Sequence, residues 1–174
     1  MKQLQKIVMF VLVAVIFVSF FLPWIKVESP AVGTISKILT GKEQAVISGI
    51  SGYAVPVLAN SEESRFMISV IKIFNPGIQN ADKKSYLIWV VPGLAVVILV
   101  VKLFLDKNKW INLVIGLIGS LIFLVAVYKL NTTDLDKLVL KVSIAPGLWF
   151  ILLAYLGIGL LCLANFVYLL KEKK

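Results

Sequence analysis

The sequence has no histidine, one cysteine (Cys162) and one arginine (Arg65). Each scarcity excludes something. A lone cysteine cannot form a disulfide within the chain, and without histidine a zinc site of the usual nitrogen and sulfur ligands is excluded. With a single arginine the chain has little means for the bidentate recognition of phosphates or bases that nucleic-acid binding favours, so its net charge of +9 needs another explanation. Acidic groups are also few. All nine (Glu28, Glu43, Glu62, Glu63, Asp82, Asp106, Asp134, Asp136 and Glu172) fall outside the long apolar runs. Proton- and ion-coupled carriers keep ionisable groups at membrane depth, so that class loses weight. With no nucleophile beside a base, no residue stands out as catalytic, and neither a metal site nor a cofactor-binding residue is expected.

What is abundant is apolar. The composition is 60% hydrophobic, against roughly 45–50% in soluble domains, and the mean hydropathy is +0.97. The excess sits in four blocks. The first lies between Lys6 and Lys26 with no charge among its 19 residues, which at about 1.5 Å per residue crosses a hydrocarbon core of about 30 Å. It is longer than a signal-peptide core and lacks an A-x-A-like cleavage site, so it reads as a retained helix ended by Pro23, with Trp24 anchoring at the headgroups. Lysines cluster at the ends of the apolar blocks, where they contact lipid phosphate and set topology.

The expected architecture is an all-α membrane protein, a bundle of four transmembrane helices with a small extracytoplasmic β-sheet and a short helix as its cap. The first span covers 1–25 and an outer loop covers 26–85. Strands are expected within 24–48, because 24–28, 34–39 and 44–48 alternate apolar and polar residues; Ser48-Gly49-Ile50-Ser51-Gly52 reads as a flexible break. Ser61-Glu62-Glu63 suits a helix start and Pro76-Gly77 a stop, which predicts a helix over 61–75. Its wide apolar face, including Phe66, Val70 and Phe74, needs a cover: the strands, the membrane interface or a partner.

The second span, 86–105, carries Pro92-Gly93 and is expected to be kinked, with Lys102 snorkelling to the inner surface. Asp106 to Lys109 is a tight turn, so the second and third spans should be antiparallel neighbours. The third span is 110–129, where Gly116 and Ser120 form a small-xxx-small pair. Trp110, like Trp149 in the last span, is expected as an interface anchor. A second outer loop covers 130–145, and Leu135 to Ile144 is a candidate further strand. The fourth span is 146–170, with a tail of 171–174. Gly147, Ala154, Gly157, Leu161 and Ala164 form a seam of mostly small residues on one face of it, suited to helix contact, and Asn165 is placed to hydrogen-bond across helices. Lys2, Lys6, Lys102, Lys107, Lys109, Lys171, Lys173 and Lys174 fall on one side of four spans. By the positive-inside rule both termini are cytoplasmic, in a multi-pass protein of a plasma (inner) membrane.

Leu22-Pro23-Trp24-Ile25-Lys26-Val27 is similar to the L-P-x-W-[KR]-V stretch of claudins, less one residue, and the order of a long outer loop, tight inner turn, short outer loop and lysine-bearing tail resembles the claudin and peripheral-myelin-protein group. Small bacterial four-span proteins with Pro-Trp after the first helix and Pro-Gly-Leu-Trp opening the last, here Pro146 to Trp149, are also similar. The resemblance implies a four-span topology. The first loop lacks the claudin W-x-L-W and its cysteine pair, so no functional residue is carried over. The function expected is that of a non-enzymatic structural or accessory subunit that contacts membrane lipids and either itself or another membrane protein. Two alternatives stay open: an oligomeric channel or carrier for a small neutral solute, and a lipid-binding protein or membrane enzyme.

Overall fold

The computed structural model describes residues 3–28, 46–60, 86–132 and 141–171. Helix α1 (Gln3–Phe21) closes with Leu22 N–H donating to the Ser19 carbonyl at 3.2 Å. Pro23, which has no N–H to continue the ladder, opens strand β1 (Pro23–Glu28). Strand β2 (Val46–Ser51) leads into a short helix α2 (Ala54–Asn60). A 3-10 turn, Tyr86–Trp89, runs into α3 (Val90–Leu105). Then come α4 (Lys109–Thr132), β3 (Lys141–Ile144) and α5 (Pro146–Lys171). Four helical segments, α1, Tyr86–Leu105, α4 and α5, are long and apolar enough to cross a membrane, consistent with a multi-pass membrane protein.

The strands form one antiparallel sheet in the order β2-β1-β3. The central strand therefore comes from the end of the first span, and its two neighbours come from the two loops at that end. On β1, Ile25 pairs with Ile144 and Val27 with Val142. Toward β2, Ile25 pairs with Ile50 and Val27 with Ile47, so β2 carries one extra residue between them. Gly49 occupies that bulge with φ +45°, a left-handed backbone that glycine adopts at least cost. A Cβ there would lie 2.5 Å from the Pro23 side chain. The stretch read as a flexible break, Ser48 to Gly52, is thus mostly strand: one glycine makes a bulge and pairing continues through it. The strand and helix expected over 34–39 and 61–75 lie outside the described residues.

Helix α5 is the centre of the bundle, packing on α4 along its length and on α1. Its buried residues, Gly147, Ile151, Ala154, Tyr155, Ile158, Gly159, Cys162 and Asn165, follow helical spacing. They meet Met9, Val13, Ile16 and Phe20 of α1, Ala95 and Ile98 of α3, and Ile115 of α4 in one core. The opposite faces stay apolar and open: Phe104 is 81% exposed and Leu124 64%. Helices that are apolar on every side, yet buried along one stripe, are consistent with surroundings of lipid rather than water.

Close backbone approach fixes the α4–α5 crossing. A Cβ on Gly119 would come within 2.7 Å of the Tyr155 carbonyl oxygen and 3.0 Å of the Gly159 Cα. By contrast, α3 and α4 hardly touch, although the turn between them is short. They lie beside each other across the short turn, as expected of neighbours, but the close backbone contact of α4 is with α5, through the glycines. In the second span a 3-10 turn gives way to α-helix just before Pro92. There Tyr155 of α5 donates its hydroxyl to the Val91 carbonyl at 2.5 Å.

Gly119→Val is expected to destabilise the folded protein in detergent by about 1–3 kcal/mol, the usual cost of overpacking. Gly93→Ala, where nothing lies within 4 Å of the new Cβ, should be neutral or stabilising by up to about 1 kcal/mol. Thermal melts followed by tryptophan fluorescence check this; equal melting of G119V and the parent would remove the backbone contact from the account.

Candidate functional site

The described residues gather their buried polar groups at two levels. Near the sheet, Ser19 is buried at the end of α1, and its carbonyl accepts the Trp24 indole N–H at 2.8 Å. Trp24 is only 7% exposed. It sits on a one-residue irregularity of β1, between the Pro23 and Ile25 pairings with β2, and bulges re-aim side chains in this way. The residue expected to anchor in headgroups is instead turned inward. It lies edge-on to Phe20, with centroids 5.7 Å apart, and plugs the bundle beneath the sheet. Phe21, Tyr53 and Trp89 continue the ring contacts toward the outside.

The second level lies at the opposite end, beneath the α3–α4 turn. Lys102 of α3 is fully buried, which corrects its expected snorkelling. Its Nζ donates to the Asn112 side-chain oxygen on α4. That oxygen also accepts from Asn165 Nδ2 on α5 at 3.0 Å. Asn112 Nδ2 donates in turn to the carbonyls of Asp106 and Asn108, each at 2.8 Å. An amide offers two N–H groups and two lone pairs, so Asn112 has every position filled. Asn165 Nδ2 reaches the Asp106 carbonyl at 3.5 Å, and the buried Cys162 lies close to Lys102. Above the cluster, the Asn108 side chain caps α4 by accepting from Trp110 N–H at 3.0 Å. Three helices are thus tied together through one amide.

The chemistry of this cluster is that of a buried lysine amine held by neutral dipoles. Among the described residues no group of three or more metal-ligating side chains occurs. Lys6 lies close enough to act electrostatically on Asp106, so among the described residues the turn end of the bundle collects Lys6, Lys102, Lys107 and Lys109 around Asp106.

Of the residues proposed for helix contact, Gly116 and Ala154 are buried. Gly116 faces Leu163 and the Gly159 carbonyl. Ser120 stands opposite Gly159, and its hydroxyl is buried with no hydrogen-bond partner among the described residues. Gly157 packs on Leu12 of α1, while Ala164 is exposed. The seam is thus divided: Gly147 and Gly157 serve the α1 side, and Gly159, outside the expected seam, serves α4. Trp110 is 63% exposed, with the Lys109 ammonium 5.6 Å from its ring centre; Trp149 is 40% exposed. Phe66, Val70 and Phe74 lie outside the described residues. Sequence reasoning missed Asn112. Its signal was a lone amide in the third span, set as far beyond the turn as Lys102 is before it.

No known protein family matches the chain, and neither does any curated protein or solved structure.

Replacing Asn112 by Leu is expected to destabilise the protein by about 2–3 kcal/mol, because it leaves the Lys102 amine and the Asn165 amide buried without their shared acceptor. Lys102→Met keeps the Asn112–Asn165 bond and should change stability by no more than about 1 kcal/mol. Melting of both variants in the same detergent checks the order; a greater loss for K102M than for N112L would overturn this account of the cluster.

Proposed function

We propose that the chain is a non-enzymatic integral membrane protein, a structural or accessory subunit that acts by contact through its extracytoplasmic cap. It would be multi-pass in a plasma (inner) membrane with both termini cytoplasmic. The observation that carries this reading is the division of the interior. Polar groups collect beneath the α3–α4 turn, Trp24 plugs the sheet end, and between them the core is filled by Met9, Val13, Ile16, Ile98, Ile115 and Ile158. A single-copy solute path needs a hydrated route between the two ends, and this packing favours a closed body. The lysines at the turn end favour a cytoplasmic position for it.

The glycines and most of the small residues of the seam are used inside the bundle, so the proposed contacts fall to the cap. There the sheet joins segments from both outer loops, an arrangement that fits the claudin-like order of elements. The structural reading is favoured over catalysis by a cluster built of a lysine, two amides and backbone carbonyls, in which the neighbouring Cys162 is fully buried.

Native mass spectrometry of the assembly released gently from its own membrane tests the proposal. A complex heavier than one 19.3 kDa chain, whether mixed or of identical copies, is expected. A lone chain under conditions that preserve known complexes of the same membrane would overturn it.

A further inference from the structure

The weak contact between α3 and α4 leaves a groove of about 340 Å³ on the outside of the bundle. Leu94, Val97, Ile98 and Val101 form one wall, and Trp110, Ile111, Val114, Ile115 and Ile118 the other. Every lining side chain is apolar or aromatic. From Trp110 to Ile118 it runs about 12 Å along α4, at about 1.5 Å per residue. That is less than half of a hydrocarbon core of about 30 Å. It begins at the turn end, so it lies within a single leaflet. A crossing helix from a partner would need a seat along the whole span, whereas an acyl chain needs only its own leaflet.

The groove adjoins a polar recess at one residue, Trp110, which lines both. The recess is a cavity of about 910 Å³ at the turn, with Phe104, Asp106, Lys107, Asn108 and Lys109 among its walls. Lys107 is exposed and Lys109 half-buried, two cations against the one carboxylate of Asp106. The Lys109 ammonium lies over the Trp110 ring, which places that charge where the groove meets the recess. A chain-length apolar slot ending under two lysines has the polarity of an anionic phospholipid: acyl chain below, phosphate above.

We propose that the α3–α4 groove is a resident site for an anionic glycerophospholipid of the leaflet on the turn side, its chain between Val97 and Val114 and its headgroup held by Lys107 and Lys109. The site rests on the membrane-spanning reading above, which alkaline carbonate extraction tests by itself: release of the chain would end that reading, whatever the lipid result.

The test uses delipidated full-length protein in mild detergent, offered dioleoylphosphatidylglycerol or dioleoylphosphatidylcholine, with retention read by native mass spectrometry. The parent should retain the anionic lipid about tenfold more strongly, within the roughly fivefold factor per lysine expected near an anionic lipid. Lys107→Gln with Lys109→Gln should erase the preference while keeping the melting temperature. Val97→Phe with Val114→Phe, both at exposed positions, should fill the groove and lower retention of both lipids. Equal retention of the two lipids by the parent would overturn the proposal. So would unchanged retention in V97F/V114F, or a second protein chain, rather than lipid, lost from the parent mass in that variant.

Discussion

Packing around α5 depends on one backbone contact. Where α4 crosses α5, Gly116 and Gly119 face Gly159 and the carbonyl of Tyr155, at distances that leave no room for a Cβ. In lipid, helices gain little from hiding apolar surface, since the tails are as apolar as leucine; close packing and interhelical hydrogen bonds hold them together. The glycines supply the first. Once α4 is held against α5, Asn112 comes within reach of Asn165, and its remaining positions tie in Lys102 and the turn. The other side of α5 is then free for α1, which meets Gly157 through Leu12. Helix α3 is held chiefly by α1, by the Tyr155 hydroxyl and by Lys102, and it stands away from α4.

The two polar levels use different means of satisfying buried groups. At the sheet end the donors are met by backbone: Trp24 gives to Ser19, the Tyr53 N–H to the Phe20 carbonyl, and the Ala145 N–H to the Trp24 carbonyl. At the turn end side chains do the work, and one amide carries four bonds. The first arrangement tolerates side-chain change, since its acceptors are main chain. The second concentrates dependence on Asn112, whose loss would strand the buried Lys102 amine without its acceptor.

Much of the plan was legible in the sequence, because length and hydropathy alone define a span. The four helices start and stop near the lysines and prolines that mark them. The strand leaving the first helix could be read from the alternation of Trp24 to Glu28, and the strand before the last from Leu135 to Ile144. What could not be read was direction. An apolar helix has no amphipathic stripe to show which side turns inward, so periodicity did not separate Gly159, against α4, from Ala164, facing out. Trp24 carries the usual mark of an interface anchor; only a one-residue bulge in β1 turns it into the core. Lys102 resembles any lysine near a helix end until Asn112, ten residues on, is seen to meet it. Gly49 looked like a hinge because glycine at a bulge and glycine in a loop are the same letter.

The order of the sheet also bears on how the protein is made. Chains emerge amino end first and fold as they appear, so β1 and β2 are both present before α3 has been made. Strand β3 is different. It follows the third span in sequence, yet it pairs with the far edge of β1. During synthesis that edge has to wait, unpaired toward β3, while two further helices are threaded, and an open strand edge invites the wrong partner. Sealing of that edge therefore has to follow the making of α3 and α4, and the finished sheet ties the segment after the first helix to the segment before the last.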